Sequence, residues 1–195
     1  MIKVKSILYT VLPLALIISS ACSKVSVETS DNFEVVELPD GSIAYLNYNS
    51  AIEYDEEFSP RIVQIGGEVF LSVIADENSF VVQTDLGEIT VLGTEFNVRS
   101  DVNEMAVEVE EGIVELRTKI QSDKVKRGEA AVYKKAKNEI QKGKAEFKFR
   151  LWISDLKREF KSLGKEIKSH SKEIGKESKE AGKEIKEDLK KLKIK

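Results

Sequence analysis

Few side chains in this sequence are equipped for chemistry, and their positions keep them apart. Cys22 is the only cysteine and His170 the only histidine in the chain. A single thiol rules out an intramolecular disulfide. A single histidine lying far from the strand-rich region leaves a nucleophilic triad without its base. No Cys/His spacing suits zinc, and no glycine-rich loop suits phosphate. The carboxylate groups Asp55-Glu56-Glu57 and Glu108-Glu110-Glu111 offer oxygen ligands of the kind calcium prefers, but not at the spacing of a calcium loop. Solvated strand edges account for them better. A paired-carboxylate hydrolase is a weak third reading, because any acidic β domain offers many carboxylates. The expectation is therefore a chain that is not an enzyme, with no cofactor and no metal.

Around Cys22 the residues follow the order of an export signal. Lys3 and Lys5 form a positive start, Ile7–Ile18 is an apolar run, and the small residues Ser19-Ser20-Ala21 stand before the cysteine. The run is short for a membrane-spanning helix, which needs ~20 residues. This segment resembles the lipobox of bacterial lipoproteins, which implies cleavage after residue 21 and a diacylglyceryl group on Cys22. It departs from that pattern in having Ser19 three residues before the cysteine, where leucine is usual; the bulky residue, Ile18, lies one position earlier. The expected location is the bacterial cell envelope, lipid-anchored and facing the periplasm at the outer or inner membrane.

Charge divides the remainder in two. The net charge of −3 conceals 8 Lys+Arg against 23 Asp+Glu from Ser23 to Tyr133, and 21 against 11 from Lys134 to Lys195. The domain plan expected from this is a signal peptide at 1–21, a lipidated linker at 22–32, a β domain at 33–133 and a basic Lys/Glu-rich helical tail at 134–195.

The expected β domain shows strand-like runs every 8–12 residues, separated by turn chemistry. Strands are predicted at Phe33–Leu38, Ile43–Tyr48, Arg61–Ile65, Glu68–Ile74, Phe80–Thr84, Glu88–Leu92, Thr94–Ser100, Met105–Glu110, Ile113–Thr118 and Ala130–Tyr133. Met105, Val107 and Val109 alternate with Ala106, Glu108 and Glu110, which places three apolar side chains on one face. Pro39-Asp40-Gly41-Ser42 presets a turn. Gly93 interrupts an apolar run and predicts a bulge or a close backbone approach, while Phe96 and Val98 alternate into the core. The fold class is mainly β: one all-β domain, sandwich or solenoid-like and rich in antiparallel pairs, followed by a long amphipathic helix.

Val91-Leu92-Gly93-Thr94-Glu95-Phe96-Asn97-Val98 resembles the hallmark of the FecR domain, and other pieces of that family stand around it in order. These are Leu38-Pro39-Asp40-Gly41-Ser42, Leu46-Asn47, Ser50, Gly67-Glu68-Val69-Phe70-Leu71-Ser72-Val73 and Phe80-Val81-Val82-Gln83-Thr84, then Glu111-Gly112-Ile113-Val114 and Gly128-Glu129-Ala130-Ala131-Val132. The resemblance implies an all-β envelope domain used for protein contacts. Its partner would be a TonB-dependent transporter or a membrane-spanning regulator, in signalling linked to transport or to a sigma factor. On the export-signal reading, no counterpart of the family's cytoplasmic sigma-factor-controlling domain is expected ahead of that signal. Signal transfer by this chain would thus pass through a separate membrane-spanning partner. Gly93, Thr94, Glu95, Phe96, Asn97 and Val98 are expected to define the fold rather than to bind a ligand.

In the tail, Leu156, Phe160, Leu163, Ile167, His170, Ile174, Ala181, Ile185, Leu189 and Leu192 form a narrow apolar stripe at helical spacing. Gly164, Gly175 and Gly182 each cost such a helix ~1 kcal/mol relative to alanine. The tail is read as a solvated extension, an amphipathic membrane-surface helix headed by Phe147, Phe149, Trp152 and Phe160, or a coiled coil. It could also dock on the acidic β domain, although exposed pairs contribute little. Its Lys/Glu mixture argues against nucleic acid. The alternative to a signalling module is thus a structural tether whose tail, up to roughly 65 Å if helical, reaches a membrane or a partner.

Overall fold

The computed structural model describes residues 23–156 and 158. Thirteen strands run in chain order: β1 Lys24–Glu28, β2 Glu34–Glu37, β3 Ile43–Leu46, β4 Ala51–Asp55, β5 Ile62–Ser72, β6 Phe80–Thr84 and β7 Gly87–Val91. They continue with β8 Glu95–Ser100, β9 Glu104–Glu111, β10 Ile113–Arg117, β11 Ser122–Lys126, β12 Glu129–Lys134 and β13 Glu139–Lys144. A short helix, α1, follows at 149–156.

The main strand path is β11-β10-β7-β6-β5-β8-β9-β12-β13, with β4 and β1 added beside the first half of β5 and β3 and β2 beside its second half. Every pair is antiparallel except β5–β6. The long β5 serves two layers: Ile62–Gln64 pair with β6, whereas Gly67–Ser72 pair with β8. Its two halves meet at Gly66-Gly67. Gly67 adopts a positive φ of 78°, and a Cβ there would lie 2.5 Å from the Asn49 carbonyl oxygen, so only glycine fits the bend. The two layers almost close into a barrel. Ile140 N–H donates to Gln121 Oε1 at 3.1 Å, and Lys142 Nζ donates to the Lys124 carbonyl at 2.6 Å, so β13 is joined to β11 through side chains.

A single apolar core fills the space between the layers. Its largest fully buried side chains are Phe80, Phe96, Leu38, Leu46, Ile52, Leu71, Ile89, Met105 and Leu116. The alternation in β9 works as expected, with Met105, Val107 and Val109 wholly inside. The fold is mainly β and barrel- or sandwich-like, not a solenoid.

Three features depart from the sequence reading. The segment 22–32, expected to be a linker, contains β1, which pairs along its length with β4 and buries part of Val25 and Val27 on the core. The sheet does not stop at Tyr133, because β13 pairs with β12 from Glu129↔Lys144 to Lys134↔Glu139. The two runs predicted at Arg61–Ile65 and Glu68–Ile74 are one bent strand. Strands β1, β4, β11 and β13 escaped prediction for physical reasons. β1 fully buries none of its side chains, and β11 and β13 each bury only one, Val125 and Ile140 respectively. β4 does alternate Ile52 and Tyr54 into the core, but its run passes directly into the acidic stretch Asp55-Glu56-Glu57. Little hydrophobic signal remains when pairing is mostly backbone.

The tail reading meets its own correction. Phe149 and Ile153 are buried with Phe70 in a second apolar cluster, and Phe147, Trp152 and Tyr45 pack against it. Those aromatics cover the sheet and are not free to head a membrane-surface helix. Leu156, the first residue of the apolar stripe, is buried at 2% exposure. Phe160, the remaining stripe residues and the coiled-coil reading lie outside the described residues.

Candidate interaction face

The outer face of the β3-β5-β8-β9 layer carries a hydrogen-bonded polar cluster, and family-like motifs meet there. Glu68 on β5 lies between Asn47 and Asn97. Asn47 Nδ2 donates to Glu68 Oε2 and Asn97 Nδ2 donates to Oε1, each at 2.9 Å. Ser50 Oγ accepts the Glu68 N–H at 2.9 Å. Residues from two separate stretches of sequence thus converge on the carboxylate of a third. Two charge-accepting hydrogen bonds of this type fix the side chains in place. Asn97 is only 4% exposed. Its Oδ1 and Trp152 Nε1 are the two buried side-chain polar atoms without a hydrogen-bond partner among the described residues.

Beside this triad the sheet and the segment after β13 enclose an open groove of about 430 Å³. Glu68, Asn97, Arg99 and Glu108 line its floor, with Lys144 and Phe149 at its side. The chain from Ala145 to Ile153 forms a strap over this face. Glu108 holds its start by accepting the backbone N–H groups of Glu146 and Phe147 at 2.9 and 3.1 Å. Arg150 pairs with Glu110 at 2.7 Å and lies over the Phe147 ring at 4.3 Å. Phe149 stacks on Phe70 at 5.1 Å, and Trp152 stacks on Phe33 at 6.0 Å. The short hydrogen-bonded pair Glu146–Lys148 keeps the Glu146 carboxyl below its usual range and the Lys148 ammonium above its own.

A second polar cluster sits at one end of the barrel. Arg61, nearly buried, donates through Nε to Asp40 Oδ2 at 2.9 Å and through Nη1 and Nη2 to the carbonyls of Asn78 and Ile74, each at 2.9 Å. Its guanidinium lies 5.4 Å from the centre of the Phe80 ring. Asp40 also receives the Ser42 hydroxyl at 2.8 Å and the Ser42 N–H at 2.9 Å. The Pro39–Ser42 turn and the loop after β5 are therefore tied together through one guanidinium. Nearby, Asp76 is held below its ordinary value of 3.8, first by the Asn78 backbone N–H.

The motif residues occupy structural positions. Gly93 packs so closely on Ala75 that a Cβ would stand 2.6 Å from the Ala75 Cα. Thr94 is 3% exposed; its carbonyl accepts the Val73 N–H at 3.0 Å and its hydroxyl donates to the Ile113 carbonyl at 3.3 Å. Glu95 accepts the Ser72 hydroxyl at 3.1 Å, and the pairing of β8 with β9 slips between Glu95 and Phe96. Phe96 and Val98 are core residues, while Asn97 turns outward to Glu68. Cys22 lies outside the described residues, immediately before Ser23. His170 is likewise outside them. Asp55-Glu56-Glu57 and Glu108-Glu110-Glu111 do not assemble into a site: among the described residues no group of three or more His, Cys, Asp or Glu side chains is placed to hold a metal.

Sequence reasoning named Asp40, Asn47 and Glu68 as parts of motifs but not as partners of Arg61 and Asn97. No spacing rule connects them, since their partners lie 21 to 29 positions away along the chain. The face as built offers hydrogen bonds, mixed charge and an aromatic shelf. Such a surface is suited to contact with another polypeptide.

The family described as FecR protein matches residues 25–115. Two crystal structures of a candidate anti-sigma factor from Parabacteroides distasonis have the same architecture. One superimposes with a TM-score of 0.63 at 29% identity over 67% of this chain, the other with 0.62 at 29% over 66%. The chain spans 65% and 64% of the length of those proteins. No curated protein matches it.

Proposed function

We propose that this chain is a non-enzymatic regulatory module of the bacterial envelope, which senses or relays a signal through contact with another envelope protein. The observation that carries this reading is the FecR match across residues 25–115, together with the likeness at 29% identity to a candidate anti-sigma factor. The strap-covered face is the surface we assign to that contact, because it combines an ordered polar triad with an aromatic shelf and mixed charge. Mixed polar and aromatic surfaces of this type serve protein contacts. The partner would be a TonB-dependent transporter or a membrane-spanning regulator. Cys22 would carry the lipid that holds the chain at the membrane, facing the periplasm.

The test is affinity purification from intact envelopes, comparing the full-length chain with one ending at Leu156. Recovery of the same transporter or membrane-spanning regulator with both supports the module. Recovery only with the full-length chain transfers the function to the tail and favours the tether. Transcript profiling after deletion of the gene gives an independent answer: a chain that relays a signal changes a discrete regulon, and an unchanged transcriptome rejects signalling.

A further inference from the structure

The geometry points to one end of the barrel as the surface that lies on the bilayer, with Ile74, Leu92 and Ile113 as its apolar contacts. This rests on the reading that Cys22 carries a lipid. Strand directions determine which end that is. β1 starts at Lys24 opposite Asp55, the last residue of β4, and Tyr54 lies opposite Val63 near the start of β5. Ile62 stands beside Val81, and Phe80 beside Val91. β7 and β10 pair Thr90 with Glu115, so Leu92, just past the end of β7, and Ile113, the first residue of β10, lie at the same end. The loop after β5 joins the same rim, because Asp76 N–H donates to the Leu92 carbonyl at 3.0 Å and Arg61 donates to the Ile74 carbonyl at 2.9 Å. The entry of the chain and the three apolar side chains therefore share one end.

These side chains are exposed by 50% at Ile74, 56% at Leu92 and 54% at Ile113. Packing fixes their loops: Gly93 is pressed on Ala75, and Gly112 has the Gly93 carbonyl and the Thr94 hydroxyl as its nearest neighbours. The opposite end also exposes apolar residues, Val102 and Ile120, so exposure alone does not choose between ends. The connection to Cys22 does. Ser23 is the only residue between the cysteine and β1, and its carbonyl accepts the Glu56 N–H at 2.9 Å. Consecutive Cα atoms are about 3.8 Å apart, so a lipid on Cys22 leaves the barrel no slack to stand away from the membrane. Apolar side chains held at that height enter the boundary between headgroups and acyl chains, roughly 5–10 Å deep. Asp55, Glu56, Glu57, Asp76 and Glu77 on the same rim disfavour a strongly anionic surface, so the matching surface is zwitterionic.

Cys22 is the only native cysteine, so once it is acylated an introduced cysteine is the single reactive thiol. Full-length chains carrying Leu92→Cys or Val102→Cys would be purified in lipidated form, labelled with a fluorophore and placed in phosphatidylcholine vesicles containing brominated lipid. Mass spectrometry of the N-terminus reports acylation separately. The expected result is quenching at least about twofold stronger at position 92 than at 102, the difference between a probe in the interface and one in water. An acylated chain quenched equally at the two positions, or at neither, overturns the inference and leaves the lipid anchor standing. A label at 92 that is shielded in the full chain and freed by ending it at Leu156 assigns the rim to the tail and overturns the inference. Concentration-dependent self-quenching at 92 assigns it to a second copy, with the same consequence. An unacylated Cys22 removes the anchor and the inference together.

Discussion

At the scale of single residues, the Arg61–Asp40 pair and Gly93 carry more of the fold than their neighbours. Both members of the pair are almost withdrawn from solvent, and the Arg61 guanidinium also holds two loop carbonyls. Asp40→Ala leaves that cation buried without its counter-ion, and such breaks cost about 3–5 kcal/mol. Urea denaturation should show that loss. Gly93→Ala forces a methyl group against the Ala75 backbone, an overpacking cost of about 1–3 kcal/mol. Gly143→Ala meets nothing within 4 Å and should change stability by less than about 0.5 kcal/mol. Equal midpoints for the two glycine variants would refute the close-packing assignment. Asp101 behaves differently because it acts through a turn. Its Oδ1 accepts the N–H groups of Asn103 and Glu104 at 2.7 and 2.9 Å, and those backbone hydrogen bonds lower its pKa below 3.8. A lowered carboxyl contributes stability at pH above its ordinary value and loses it as pH falls through the depressed folded value. The stability gap between the native chain and Asp101→Ala should accordingly narrow in acid, a trend readable from unfolding midpoints across pH 2–6.

The strap is the element whose role the chain's order conceals. Its start is fastened by two backbone N–H donors on the Glu108 carboxylate, and its centre by Phe149 on Phe70. Glu108→Ala removes the fastening without touching the core, weakening strap closure by about 1–2 kcal/mol. Trp152 is the only tryptophan and stacks on Phe33, so its fluorescence reports this event directly. A red-shifted emission with an unchanged far-ultraviolet β spectrum is the expected outcome. Phe149→Ala strikes the same element through packing and should cost about 3 kcal/mol, as large aromatic truncations in buried sites do.

For the molecule as a whole, the domain boundary follows from which strands complete the barrel. A chain ending at Tyr133 loses β13, its side-chain connection to β11 and the whole strap, leaving Phe70 uncovered. A chain ending at Leu156 keeps them all. Thermal unfolding should separate the two: the Leu156 chain retains a cooperative transition near that of the full-length protein, and the Tyr133 chain unfolds well below it or fails to accumulate. A barrel of this type buries one core from both layers, so removal of an edge strand is felt throughout. The same completeness explains why the acidic balance of 23–133 is softened in the folded unit: β13 and the strap bring Lys142, Lys144 and Lys148 to the groove beside Glu68 and Glu108, and Arg150 to Glu110.

Much of this fold was legible in one dimension. Alternation identified β9, and the spacing of turns marked a mainly β domain, because a half-buried strand imposes a period of two on its own residues. The ordered motifs from Leu38 to Val132 identified the family resemblance, and Gly93 announced a tight contact. Strands that bury a single side chain, such as β11 and β13, left no such period and became visible only through pairing with neighbours. The bend at Gly66-Gly67 read as an interruption because one strand can cross between two layers only when both layers exist. Likewise Phe147, Phe149 and Trp152 were open to being the head of a membrane-surface helix, one of three readings of the tail, until Phe70 and Phe33 supplied their partners. Composition and local pattern determine what a segment can become. Which carboxylate holds Asn97, which guanidinium holds Asp40 and which end of the barrel receives the chain depend on contacts between distant residues, and those exist only in the folded molecule.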